Sequence, residues 1–537
     1  MKMLFVLLFC TSFLDTVIQA QDNPGSGFIS IDCGAPNAYT DDNLLIHYET
    51  DEGFIDAGQN MQVASRYFTS IQQLLTNLRS FPNGTRNCYT LPVKQGNSSS
   101  TSTKHLIRAT FFYGNYDGLW QTPEFDLYID VNYWTTVKSN YTSSEIIYST
   151  WGNYINVCLV NIGSGVPFIS VLEARLLDNS IYSTTSGALQ TTFRLNMGSL
   201  DIYRHPYDVY DRIWEGIQFA EFTTVTNTTN LDSLKDDNIN TYKVPTEVLM
   251  TAQQTTNSSV GMGLLWGPLN STNKWYVYLH FAEIQVLPAG QQRELEVYLS
   301  DKTLVANLML QYLKPVTLSL PPVSGINPGF AIVSKSNFSA FINAVEVFLF
   351  TDLPNSPTDL NNVNAINDIK STYGVFGDLW QGDPCVPQKF TWRGLVCTQD
   401  NLPKITSLNM SSSGLKGTIA ASFFNLSALE TLDLSYNELS GPLPEFLAFM
   451  PNLRVLNLSN NNLSGTVPEV LLKKSSADGT LTLRLDGNPS LCLTNCNTSA
   501  MPPSSSNNGG EKKQHTIHPL VTAVASAILV LILNKWD

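Results

Sequence analysis

The chain has 537 residues, 43% of them hydrophobic and only 14% charged, with a formal net charge of −14 at pH 7. That length leaves room for three or four domains of roughly 150 residues each. The negative balance excludes nucleic acid as a partner, because phosphate recognition needs a basic surface.

The first twenty residues, M-K-M-L-F-V-L-L-F-C-T-S-F-L-D-T-V-I-Q-A, have a basic start, an apolar middle and a small residue at Ala20. This is the grammar of a secretory signal peptide, whose cleavage would remove Cys10. Twelve N-x-S/T sequons follow, at Asn83, Asn97, Asn140, Asn227, Asn257, Asn270, Asn337, Asn409, Asn425, Asn457, Asn462 and Asn497. Their density points to an extracellular glycoprotein. Seven of the eight cysteines remain after cleavage, so in an oxidising compartment most pair and at least one is left over or pairs between chains.

Between residues 28 and 350 the chain alternates apolar and polar residues in runs such as F-D-L-Y-I-D-V at Phe125 and L-E-V-Y-L-S at Leu295, bounded by Gly, Asn and Pro. Helical periodicity is scarce, which predicts antiparallel sheets packed as sandwiches. The region also repeats itself. Phe28 matches Phe193, Phe111 with Phe125 matches Phe281 with Leu295, and Phe168 matches Phe341, at offsets of 165, 170 and 173 residues. Three matches in one order with a slowly growing offset predict a duplicated domain divided near residue 190. Cys88 with Cys158 is the expected pair in the first copy.

From Ile405 to Leu491 an L-x-x-L-x-L-x-x-N-x-L spacing recurs, with units starting at Ile405, Leu429 and Leu453, 24 residues apart. This is the period of leucine-rich repeats, which bury their apolar side only by stacking into a solenoid. Leu432 and Leu434 are expected inside, and Asn437 with Asn461 as a ladder satisfying turn backbone groups, while Ser413 weakens the ladder in the first unit. A looser unit from Leu483 reads as the closing one. Cys385 with Cys397 before the array, and Cys492 with Cys496 after it, are placed to staple the two uncovered ends. Zinc fits neither spacing, with no histidine nearby, and no metal or cofactor is expected. A polar spacer carrying His515 and His518 then leads to an apolar run of 15 residues, Pro519 to Leu533. A helix of that length rises roughly 22 Å against a 30 Å hydrocarbon core, a marginal membrane span or the tail of a lipid-anchor signal.

Several of these segments carry a resemblance. F-I-S-I-D-C-G-A-P, R-N-C-Y-T-L, L-I-R-A-T-F-F-Y-G-N-Y-D-G, F-D-L-Y-I-D, D-V-Y-D-R-I-W and Y-L-H-F-A-E-I-Q look like the tandem malectin-like region of plant receptor-like kinases. With G-D-P-C at Gly382, Asp383, Pro384 and Cys385, with W-R-G-L-V-C at Trp392, and with the short repeat array, residues 25 to 500 resemble the ectodomain of malectin-like, leucine-rich-repeat receptor kinases. In the symbiosis receptor kinase group of that family, the G-D-P-C junction is associated with release of the malectin-like part. The resemblance implies a mainly β fold, tandem malectin-like β-sandwiches followed by a short α/β leucine-rich-repeat solenoid. Its expected segments are a signal peptide at 1–20, sandwiches at 25–190 and 191–355, a linker and Cys-paired repeat cap at 356–400, repeats and closing cap at 401–497, a spacer at 498–516 and a membrane or anchor segment at 517–533.

Family members continue into a kinase, but this sequence ends at L-I-L-N-K-W-D without G-x-G-x-x-G, H-R-D or D-F-G motifs, and Gly261, Gly263 and Gly267 read as a turn. No phosphoryl transfer, and no enzyme activity, is expected of the chain itself. A glycosidase would need two carboxylates across a sugar, and Asp126 with Asp130 on one strand face, or Glu173 with Asp178, are the pairs to consider. Their bland reading, an outer solvated face, is preferred. Sugar sites stack aromatic faces on sugar rings while acids and amides grip hydroxyls, and Tyr113, Asn115, Tyr116, Asp117 and Trp120 form such a group after a strand. The expectation is a cell-surface, receptor-like recognition protein. Its ligand is a cell-wall oligosaccharide or extracellular peptide, its partners are receptor-like kinase ectodomains that supply the signal in trans, and its membrane contact is the C-terminal segment. A wall carbohydrate-binding protein without signalling, a secreted form, or a decoy form of a kinase is the alternative.

Overall fold

The computed structural model describes residues 27–493, except 94–101, 151, 185, 229–237, 268–271, 326–327, 376–379 and 477–478. The expected signal peptide, Asn97, Asn270, Asn497, Cys496, the histidine-bearing spacer and the C-terminal apolar run lie outside the described residues. Among the described residues, no helix is long and apolar enough to cross a membrane.

The fold is mainly β. In the first half, the strands Phe28–Asp32, Val171–Leu177, Thr103–Phe112 and Tyr141–Thr150 lie side by side and pack on a second sheet ordered Arg86–Pro92, Tyr154–Ser164, Glu124–Ile129, Asn132–Val137. Ile107, Ala109 and Phe111 from one layer meet Phe125, Leu127 and Leu159 from the other in a shared core. The second half repeats this, with Ala188–Met197, Ala344–Thr351, Lys274–Phe281 and Val316–Ser319 packed on a sheet of Met262–Leu265, Gly329–Ser334, Arg293–Leu299 and Leu304–Leu310. Gly263 therefore lies in a strand rather than a turn. A Cβ there would stand 2.4 Å from the carbonyl oxygen of Phe330, so the close approach of two strands requires glycine.

The two halves share one ten-stranded sheet. Ala188–Met197 pairs with Tyr141–Thr150 on one side, Ile146 opposite Gln190 and Ile147 opposite Leu189, and with Ala344–Thr351 on the other. The expected division at 190/191 falls inside this strand.

Strand Thr103–Phe112 is buried at every residue although it carries Lys104, His105 and Arg108. The reason is a cover on the outer face of the long sheet. Alternate residues there, Arg108, Glu145, Glu173, Arg175, Arg194 and Glu346, are capped by Arg204 and by Asp208, Asp211 and Arg212 of the D-V-Y-D-R-I-W stretch that follows it. Glu173 lies 2.8 Å from Arg108, 2.8 Å from Arg175 and 2.9 Å from Arg204. Asp211 lies 2.7 Å from Arg204 and 2.8 Å from Arg175. Across the halves, Arg194 stands 3.0 Å from Glu145, and the Tyr182 hydroxyl donates to Glu346 at 2.7 Å. Five arginines thus face five carboxylates (Glu145, Glu173, Asp208, Asp211, Glu346), a buried but balanced set.

The solenoid follows. Ile405–Asn409, Thr431–Asp433, Val455–Asn457 and Thr482–Arg484 stack as parallel strands, with Leu408, Leu432, Leu434 and Leu456 fully buried. The asparagine ladder forms. Asn437 Oδ1 accepts from the Ser413 and Leu415 backbone N–H groups, Asn461 Oδ1 accepts from Leu439, and Asn488 supplies a third rung to Leu463. No repeat precedes the first coil, so the antiparallel strand Leu395–Cys397 pairs with its strand and the helix Leu360–Tyr373 covers its core with Ala365, Ile366 and Ile369. Asp359 caps the helix by accepting from the Asn362 N–H, and Gly374 ends it at φ 64°.

Candidate ligand-binding site

The five residues expected to grip a sugar occupy one loop with divided roles. Tyr113 is 3% exposed, and its hydroxyl donates to Asp117 at 2.5 Å. Tyr116 is half-buried against Phe168, with its ring centroid 5.5 Å away. Burial, with the Asp117 carboxylate beside it, pushes the Tyr113 hydroxyl up to about 12. Asn115 accepts from the Trp120 backbone N–H at 2.8 Å, and Asp117 accepts from Leu119 at 3.0 Å. These contacts hold Trp120 at φ 59° and leave it 67% exposed. A bulky residue in the left-handed region is a backbone outlier. Arg66 lies 3.9 Å from the Trp120 ring centroid and 4.6 Å from that of Tyr67. The loop thus presents a single aromatic face to solvent, Trp120, backed by an arginine from another segment that the sequence pattern did not reveal.

The carboxylate pairs are committed elsewhere. Burial alone would raise the Glu173 carboxyl, but Arg204, Arg175 and Arg108 overcome it and hold the group at about 2, while Asp178 is exposed. Asp130 is not on the face of a strand with Asp126. It lies in the turn after Glu124–Ile129 at φ 48°, where a register shift breaks the alternation. It accepts from the Tyr148 hydroxyl at 2.7 Å and from the Asn156 N–H at 2.6 Å, and burial pushes it to about 6. Asp126 accepts from Thr136 Oγ1 at 2.6 Å. Among the described residues, no group of acids, histidines and cysteines is arranged to hold a metal ion.

The G-D-P-C segment is a clamp between solenoid and first sandwich. Asp383 accepts from the Thr358 N–H and hydroxyl at 2.9 and 2.5 Å, and from the Cys385 and Val386 N–H groups at 3.0 and 2.8 Å. The turn so fixed directs its carbonyls at Arg86 of the sandwich, which donates to the carbonyl oxygens of Gln381 and Asp383 at 2.5 and 2.8 Å. Burial lowers the Arg86 guanidinium to about 10, with Asp383 opposing the shift. Gly382 lies against the Cys88–Cys158 disulfide at φ 62°, and a Cβ there would stand 2.7 Å from the Cys88 sulfur. A second disulfide, Cys385–Cys397, fixes the cap beside the stacked rings of Trp380 and Trp392, 5.0 Å apart. Cys492 is disulfide-bonded, and Cys33 is a free, buried thiol.

Of the sequons, Asn83, Asn140, Asn257, Asn337, Asn409, Asn425 and Asn462 are exposed. Asn227 and Asn457 are half-buried and use their amide nitrogens internally, on the carbonyl oxygen of Ile284 at 2.8 Å and on Asp433 at 3.0 Å.

The malectin-like domain family matches residues 31–350, and the leucine-rich-repeat family matches residues 403–463. The chain belongs to the malectin-like family. Its relatives include, in Arabidopsis thaliana, a probable leucine-rich-repeat receptor-like serine/threonine-protein kinase, 42% identical over 96% of this chain and 59% of the relative. A putative receptor-like protein kinase of the same plant is 40% identical over 79% of this chain and 48% of that protein. The malectin-like chain therefore spans about half to three fifths of these kinases. Among solved structures, the plant receptor-like kinase FER matches 60% of this chain and 96% of its own at a TM-score of 0.51, and the ANX1 ectodomain of Arabidopsis thaliana matches 61% and 97% at 0.50. At 18% and 16% identity these show a shared fold.

Proposed function

We propose that this protein is the extracellular recognition part of a plant cell-surface receptor system, binding a small wall-derived or peptide ligand and passing the signal to a receptor kinase ectodomain with which it associates. The observation that carries this reading is colinearity. Both the malectin-like region and the repeats align in order with receptor kinases across 96% of this chain. The exposed Trp120, held in place by Asn115 and backed by Arg66, is the proposed contact for a sugar ring or an aromatic or proline side chain of a peptide. The solved neighbour FER is seen in complex with the peptide RALF23 and with LLG2, which supports peptides and partner ectodomains as the classes to test here. In this proposal the signal peptide, the glycans at the exposed sequons and a membrane contact near residues 517–533 place the recognition surface outside the plasma membrane. The G-D-P-C clamp is the point at which the solenoid and the malectin-like region part.

The test is binding of the glycosylated full chain to a panel of wall oligosaccharides and secreted peptides, with recovery of receptor kinases from plant membranes alongside. Saturable binding weakened about tenfold or more by Trp120→Ala, together with co-purification of a kinase, is the expected result. Binding without any kinase partner would favour a wall-binding protein that does not signal.

A further inference from the structure

Where the cap helix Leu360–Tyr373 and the G-D-P-C turn approach the first sandwich, the two bodies enclose a cleft of about 450 Å³. Its sandwich wall carries Phe54, Asp56, Thr90 and Tyr154, and its solenoid wall carries Lys370 and Trp380. Neither body forms the cleft alone. Ligand pockets run from roughly 300 to 1,000 Å³ and favour boundaries between domains, so both size and place fit a binding site.

The walls define what fits. Asp56 stands 3.4 Å from Lys370 Nζ and accepts from Gln381 Nε2 at 2.8 Å, so its charge is already answered. Lys370 in turn donates to the Trp380 carbonyl at 2.8 Å. A charged ligand would have to break the pair. A purely apolar ligand would strip water from both ions and return no hydrogen bond. A neutral chain of hydroxyl-bearing rings meets both demands, because its C–H groups pack on aromatic ring faces while its hydroxyls bridge carboxylate, ammonium and the Thr90 hydroxyl.

We propose that this cleft is a second ligand site, taking a neutral oligosaccharide on the order of two to three rings, and that its occupancy is coupled to docking of the solenoid on the first sandwich. The inference rests on the reading of the protein as an extracellular recognition body, but not on the Trp120 loop. Because the ligand touches both walls, docking of the solenoid raises ligand affinity by the same factor by which bound ligand favours docking, so a change that populates the undocked state weakens binding. Arg86 does not line the cleft, yet it holds the clamp, so it reports this coupling.

The test titrates the glycosylated full chain with cellotriose and xylotriose, and with trigalacturonate as a charged ligand of similar size, by calorimetry or saturation-transfer NMR. Thr90→Arg places a bulky group in the cleft from an exposed strand position, and Val286→Ser is a remote surface control. The expected result is saturable binding of a neutral trisaccharide and none of trigalacturonate, at least tenfold weaker in Thr90→Arg and in Arg86→Ala, and unchanged in Val286→Ser. Binding of neither neutral trisaccharide, or full retention in Thr90→Arg, overturns the cleft as a site. Loss in Trp120→Ala with retention in Thr90→Arg would leave the proposed function standing and overturn only this inference. Retention in Arg86→Ala with loss in Thr90→Arg would overturn the coupling.

Discussion

Gly382 shows how one residue carries a junction. Its positive φ suits glycine, and a methyl group would meet the Cys88 sulfur, so Gly382→Ala is strained twice over. The expected outcome is loosening of the cap by about 1 to 3 kcal/mol, read as faster proteolysis at the linker and a larger radius of gyration, with little change in the melting of the sandwiches. A compact, resistant variant would show that the clamp does not depend on this contact. Asn461 is a second such case. Asn461→Ala strips the buried Leu439 N–H of its acceptor, at a cost of about 1 to 3 kcal/mol, while the Leu434 and Leu458 carbonyls keep Asn437 and Asn488 as donors. Hydrogen exchange confined to the solenoid checks this. The ladder was legible in the sequence because its asparagines recur at a fixed period. The roles within Y-G-N-Y-D-G were not, since the pattern is the same whether an aromatic points into the sandwich or out of it. Only the Asn115 contact and the left-handed backbone at Trp120 decide which residue faces solvent.

At the scale of elements, the D-V-Y-D-R-I-W stretch acts as a cover of charge over a charged sheet face. Its resemblance to a family motif was legible, but its task was not, because the partners of Asp211 in the sheet, Arg108 and Arg175, lie 103 and 36 residues away in sequence. Alternation in Thr103–Phe112 predicts one wet face, and only the cover makes both faces dry. Glu173→Gln leaves Arg108, Arg175 and Arg204 short of a counter-charge. Breaking a buried pair in this way costs about 3 to 5 kcal/mol. The measurement is chemical denaturation, with a large drop in midpoint expected. A drop smaller than about 1 kcal/mol would mean that water reaches the cluster and screens it.

For the whole molecule, two sets of carboxyls set opposite limits on pH. Glu173, held at about 2, contributes stability that is complete above its usual value of 4.5 and is lost as pH falls toward 2. Burial, aided by the neighbouring Asp51, pushes Asp32 to about 7, and burial pushes Asp130 to about 6. These two are protonated in the native state and ionised in the unfolded one over the window above 3.8, so stability falls as pH climbs through that window to 6 and 7, by up to about 1.4 kcal/mol per unit for each. Thermal unfolding is therefore expected to peak near about pH 4.5 and to be lower at pH 8, with Asp32→Asn flattening the decline. A melting temperature that rises from pH 5 to pH 8 would contradict this. The repeated strand runs made the two sandwiches legible, but not the sheet that joins them, since no local pattern says that Ile146 will lie opposite Gln190.

That joined sheet changes what a cut in the chain can do. A protease nick in the connection between Leu177 and Ala188 severs one covalent link, but the fragments remain stitched by the shared strand edge and by arginines of one piece gripping carboxylates of the other. The nicked protein is expected to run as a single particle under native conditions and as two bands once unfolded, and a cut at the G-D-P-C clamp leaves the helix Leu360–Tyr373 on the malectin-like piece, where Ala365, Ile366 and Ile369 still hold it in the solenoid core.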